Sequence, residues 1–226
     1  MNTEKYNDLK ARNMLDPTIL EKLMGIICIL CLIGNLYYKW HTMTLIFMFN
    51  PCHVVCLSLA IISFSKFSTR VELLALFVFS SAFGGWIGLI WSENDEMSVN
   101  ELLIYYTEHL FTSFMGTVVL SLSGRFDPLD YFTFPLQISG FHLFVAYMRY
   151  VLTPLSQLTW ANLNHTLCGV DNDPFYKGFD LGYSYYFWAD FYLLGGCIVT
   201  IIVNCVICFI FKTIFSPCCG SEKQVK

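Results

Sequence analysis

Residues Leu73–Trp91 read LLALFVFSSAFGGWIGLIW, a stretch without a single charged side chain. As an α-helix it would rise about 1.5 Å per residue, giving a length of about 28 Å against a hydrocarbon layer about 30 Å thick. Similar runs lie on both sides of it, at Ile19–Tyr37, Thr42–Phe64, Leu102–Leu122, Tyr131–Leu152 and Tyr186–Phe211. The pattern predicts an all-α chain, a polytopic membrane bundle of about six transmembrane helices. Composition agrees: 56% of the residues are hydrophobic and 13% charged, about half the charge of an ordinary soluble domain. The expected organisation is a cytosolic amino-terminal segment (1–18), a helical bundle (19–215) and a cytosolic tail (216–226). Glu21 and Lys22 near the start of the first run are tolerable when flanking residues reach the interface. No small-residue cleavage site follows it, so it reads as a retained helix.

Basic residues are distributed unevenly. In a six-span arrangement Lys5, Lys10, Arg12, Lys22, Lys66, Arg70, Arg125, Lys212, Lys223 and Lys226 share one side, and Lys39, Arg149 and Lys177 the other. The asymmetry puts both termini in the cytosol; with no other address legible, the endoplasmic reticulum is the expected membrane. The net charge of −4 offers no basic patch and excludes nucleic acid as a partner. Seven of the ten cysteines (Cys28, Cys31, Cys52, Cys56, Cys197, Cys205, Cys208) lie inside apolar runs, where they act as small hydrophobes rather than a disulfide framework. Cys218 and Cys219, just past the last run, are open to acylation or remain free thiols. The connection from Thr153 to Tyr185 is long for a compact bundle. Its aromatic content points to a short helix over the luminal mouth, and it holds a sequon at Asn164.

Polar residues inside membrane spans are functional-site hypotheses by default. They are Asn50, Cys52 and His53 in the second span, Glu108 and His109 in the fourth, Gln137 and His142 in the fifth, and Asp190 and Asn204 in the sixth. Measured from the luminal surface, Cys52 lies roughly 15 Å deep, His109 about 10 Å and His142 roughly 15 Å, so the three share a layer. A thiol in such surroundings is inert unless a base or a positive charge stabilises its thiolate, and a histidine at matching depth supplies that. Pro51 is expected to bend the second helix beside Cys52. His53, about 100° around the helix from Cys52, is expected to point elsewhere. Against this stand a cysteine that merely packs and histidines that only bridge helices. Cys52, His53 and Cys56 approach a metal-ligand spacing, but no second cluster completes it, so neither metal nor cofactor is expected.

Three segments, N-P-C-H-V-V at Asn50–Val55, I-Y-Y-T-E-H at Ile104–His109, and T-W-A-N-L-N-H-T-L-C followed by D-P-F-Y within Thr159–Tyr176, together resemble the transmembrane protein 164 family over Trp40–Tyr176. The resemblance implies a cysteine-centre phospholipid acyltransferase whose nucleophile matches Cys52 and whose catalytic histidine matches His109. It implies transfer of polyunsaturated acyl chains, notably arachidonoyl, from phosphatidylcholine to lyso-ether phospholipids without coenzyme A. A more distant similarity is to the androgen-induced membrane hydrolases. The chain departs from the family pattern in its fifth span, where His142 stands one turn before the family's histidine position near Ala146.

The expected partners are therefore a phospholipid acyl donor, a lysophospholipid acceptor and the bilayer itself. His109 would take the thiol proton, and Cys52 would attack the donor ester to form a thioester. Substrate-binding or oxyanion groups are sought among Asn50, His53, His142, Asn162 and Asn164, though the last two equally suit a capping role in the luminal segment. Two rivals remain: a lipid esterase using the same pair, and a non-catalytic receptor or lipid-binding scaffold.

Overall fold

A computed structural model describes residues 15–90, 97–126, 134–161 and 163, together with 194–195, 198–199, 202–203, 205–206, 209–211 and 213–214. Asn162, Asn164, Asp190, Asn204, Cys218 and Cys219, segment 1–14 and tail 216–226 lie outside the described residues, as does the side chain of Gln137.

The described chain is all-helical. Helix α1 (Ile19–His41) begins with a capping box: the Thr18 hydroxyl accepts from Glu21 N at 3.2 Å and the Glu21 carboxylate accepts from Thr18 N at 2.7 Å, satisfying two donors left over at a helix start. A 3₁₀ segment (Leu45–Phe49) leads into α2 (Pro51–Phe64), and α3 (Thr69–Ile90) follows. Helices α4 (Val99–Leu110) and α5 (Gly116–Leu122) are joined by a π-helical turn, Phe111–Met115. A second π turn, Met148–Leu152, joins α6 (Phe134–Tyr147) to α7 (Thr153–Thr159). The described positions between 194 and 214 are helical.

Helix α2 is sandwiched between α1 and α3, α6 lies on α3, and α4 packs against both α1 and α3. Helices α1 and α3 are long and apolar enough to cross a membrane, by length and composition. Each run named from the sequence contains helix, but Thr42–Phe64 is not one continuous helix. Asn50 is extended (φ −57°, ψ 144°) and Pro51 is the first residue of α2. Proline, lacking an N–H and excluding α geometry from the residue before it, starts a helix more readily than it bends one. The expected kink at Pro51 is therefore a break, and α2 is only 14 residues long.

Helix α1 carries an inverted pattern. Leu23, Ile26, Leu30 and Ile33 are exposed, whereas Glu21, Cys28 and Asn35 are buried. One end of the bundle is fastened by Arg125. Fully buried, its guanidinium donates to Glu21 Oε1 at 2.7 and 2.9 Å and to the carbonyls of Ile62 and Ser65 at 2.9 and 2.6 Å. It thereby ties the start of α1 and the segment after α5 to the end of α2. Arg125, counted in the sequence as a surface charge on the cytosolic side, is spent on this internal pair, and Glu21 is its partner.

Candidate functional site

The break at Asn50–Pro51 determines where the thiol sits. Cys52 is the second residue of α2 and half-buried, not midway along an uninterrupted helix. There the sulfur sits at the positive end of the helix dipole, a setting that favours a thiolate. The Asn50 carbonyl accepts from His53 N at 3.1 Å and Val54 N at 3.3 Å, closing the first turn. The Asn50 side chain makes no capping bond, and its Oδ1 is buried without a partner among the described residues.

Two imidazoles flank the thiol. His109, from α4, is a neighbour of Cys52, and the two side chains interact. Its Nδ1 lies 2.9 Å from the carbonyl of Tyr105; a carbonyl can only accept, so Nδ1 carries a proton and Nε2 is the nitrogen free to exchange one with the thiol. The ring is clamped on two sides. Tyr105 stacks on it with centroids 4.0 Å apart, and Tyr105 Oη donates to the Gly88 carbonyl at 2.8 Å. Gly88 lies so close that a Cβ there would run into Cδ2 and Nε2 of His109. The π turn that follows adds a further support. Its altered register frees carbonyls near its start, and the hydroxyl of Ser113 donates to the His109 carbonyl at 2.6 Å.

His53 also approaches the thiol. Its ring nitrogen, the Cys52 sulfur and a Glu108 oxygen all lie within 4.8 Å of one another. The expectation that His53 points away from Cys52 is therefore corrected: at the open first turn, side chains one residue apart fold toward the same partner. That partner is Glu108, whose Oε1 is 2.7 Å from His53 Nδ1 and whose Oε2 accepts from Asn35 Nδ2 at 2.6 Å. Glu108 is 1% exposed. The chain Asn35–Glu108–His53–Cys52–His109 thus crosses α1, α4 and α2. Cys52, His53 and Glu108 bring metal-ligating atoms together, but His53 Nδ1 and Glu108 Oε1 are engaged with each other, and an ion would have to displace their bond. Cys56, a further candidate ligand by spacing, turns instead to the Cys28 carbonyl at 3.6 Å.

His142 is exposed on α6. The residue by which α6 approaches the start of α2 is Tyr147, whose hydroxyl donates to the Phe49 carbonyl at 2.5 Å. Sequence reasoning gave no role to Glu108 and passed over Asn35 altogether. An amide in an otherwise apolar run, like an acid next to a candidate base, was the available signal. No family model matches the chain, and no solved structure matches it significantly.

Proposed function

We propose that the protein is a multi-pass membrane acyltransferase with both termini in the cytosol and the endoplasmic reticulum as its membrane. It moves a polyunsaturated acyl chain from a phospholipid to a lysophospholipid of the lyso-ether type, through a thioester on Cys52 and without coenzyme A. The observation that carries this reading is a half-buried thiol at the start of one helix within reach of a correctly tautomeric imidazole from another. Support for the bilayer setting comes from α1, which turns leucines and isoleucines outward and an acid, an amide and cysteines inward. That is the reverse of what water selects, since acids and amides are rarely buried in soluble domains and a continuous apolar exterior needs a covering. Support for phospholipid as substrate comes from the resemblance of Asn50–Val55, Ile104–His109 and Thr159–Tyr176 to the transmembrane protein 164 family.

In this mechanism the Cys52 thiolate attacks the ester carbonyl of the donor, and His109 delivers a proton to the departing lysolipid oxygen. The neutral His109 then removes a proton from the hydroxyl of the acceptor, whose oxygen attacks the thioester and releases the thiolate. Exclusion of water from an apolar site favours the lysolipid over hydrolysis. The test is mass spectrometry of the purified protein after incubation with isotopically labelled phosphatidylcholine. A hydroxylamine-sensitive acyl adduct on Cys52, absent in His109→Ala and discharged by lyso-ether phospholipid, is the expected result. Discharge to water alone would make the protein an esterase, and no adduct at all would leave a non-catalytic lipid-binding scaffold.

A further inference from the structure

Two imidazoles face one sulfur, yet acyl transfer needs only one mobile proton carrier. The groups behind them differ in kind. His109 Nδ1 rests on a neutral carbonyl, and Glu108 is bonded to His53 and Asn35 instead, so the direct counter-charge of a protonated His109 is the thiolate. His53 Nδ1 rests on a buried carboxylate, itself fixed by the Asn35 amide, and that countercharge is present at every stage.

We propose that His53 is the fixed cation of the site, held charged by Glu108 and Asn35, and that it stabilises the negative charge on the Cys52 sulfur and then on the reacting carbonyl oxygen while His109 carries the protons. The inference rests on the acyl-transfer reading and assigns the site's remaining polar groups within it. Charge stays balanced throughout, as an apolar interior demands. In the free enzyme the Glu108 carboxylate and Cys52 thiolate face two imidazolium ions. When the thiolate bonds to the carbonyl carbon, the charge passes to the carbonyl oxygen and the count is unchanged. Collapse breaks the ester C–O bond, and His109 gives its proton to the leaving oxygen. The thioester then has no charge, His109 is neutral, and the His53–Glu108 pair remains. The second half reverses these steps with the acceptor hydroxyl. Cys52, His53 and His109 are the catalytic residues here; Glu108 and Asn35 are positioning residues acting through His53.

The test uses the full chain in phosphatidylcholine nanodiscs, with histidine ring nitrogens labelled with ¹⁵N. With Cys52 alkylated by iodoacetamide to mimic the thioester, His53 should show both nitrogens protonated and His109 one, and Glu108→Gln should abolish the doubly protonated signal. In turnover, His53→Gln should lower kcat by roughly a hundredfold, as loss of an oxyanion donor does, with little change in KM. His53→Lys, which keeps a cation but cannot relay protons at the ring, should recover at least about tenfold of that loss. A neutral His53 in the alkylated wild-type protein, measured without any substitution, overturns the inference, as does His53→Lys no better than His53→Gln. The spectra need no lipid substrate, so absence of a Cys52 thioester would remove the transfer reading alone, whereas a thioester formed beside a neutral His53 would remove only this one.

Discussion

Gly88 and His109 stand in direct contact: the backbone of α3 at Gly88 occupies the space in which any larger residue's Cβ would strike the imidazole carbons and Nε2. Helices α3 and α4 can approach this closely because small residues line the contact, and Tyr105, bonded to the Gly88 carbonyl, closes the other side. The His109 ring is therefore positioned by an absence of atoms.

Gly88→Ala should displace the His109 ring while leaving every polar residue of the site unsubstituted. Acylation of Cys52 should fall by at least about a hundredfold, because small misplacements of a reacting group carry penalties of that order. Thermal unfolding should move little by comparison. Thioester formation measured by mass spectrometry, alongside the unfolding midpoint in detergent, checks both halves.

Pro51→Ala restores an N–H and relaxes the constraint on Asn50, so helix can extend back from α2 into Leu45–Phe49. Cys52 would then sit in a helix interior with its amide engaged. Reaction of Cys52 with iodoacetamide should slow by about tenfold as the helix-start environment that favours the thiolate is lost. Peptide-resolved alkylation kinetics check it, and an unchanged rate would show that the helix start contributes nothing.

Arg125→Ala leaves the Glu21 carboxylate buried without its cation and takes a donor from the carbonyls of Ile62 and Ser65. Breaking a buried pair in this way costs about 3–5 kcal/mol. Replacing both members by apolar residues, Glu21→Leu with Arg125→Met, should recover a substantial part of that loss. Comparing the unfolding of single and double variants in detergent gives the coupling.

Tyr147→Phe removes one hydrogen bond from the Phe49 carbonyl, just before the break that starts α2. The expected cost is about 1 kcal/mol of stability, together with a modest slowing of acylation because α2's first turn loses a tether. A larger effect on kcat than on the unfolding midpoint would mark Tyr147 as acting on the reacting groups themselves.

Much of the helical architecture is legible in the residues. The charge-free run at Leu73–Trp91 corresponds to most of α3, and the run beginning at Ile19 starts where α1 does. Depth along the spans already set Cys52 and His109 in one layer. What depth cannot give is direction. Asn50–Pro51 reads as a kink when embedded in a long apolar run and as a helix start when taken alone, and only packing decides. The 100° rule placed His53 away from Cys52 because it assumes a regular helix, whereas at the first turn Glu108 pulls the ring back. Asn35 and Arg125 were missed for a common reason: each is explained by a partner 73 or 104 residues away, and a single sequence does not record such distances.

The Arg125–Glu21 clasp has a consequence for biosynthesis. Helix α1 emerges with an acid whose guanidinium partner lies 104 residues later in the chain, roughly 5 to 20 seconds of translation. Until then the Glu21 carboxylate must stay in contact with water, because an unpaired buried carboxylate is costly. The start of α1 is thus held loosely at first and seated last, once the segment after α5 has arrived to claim it.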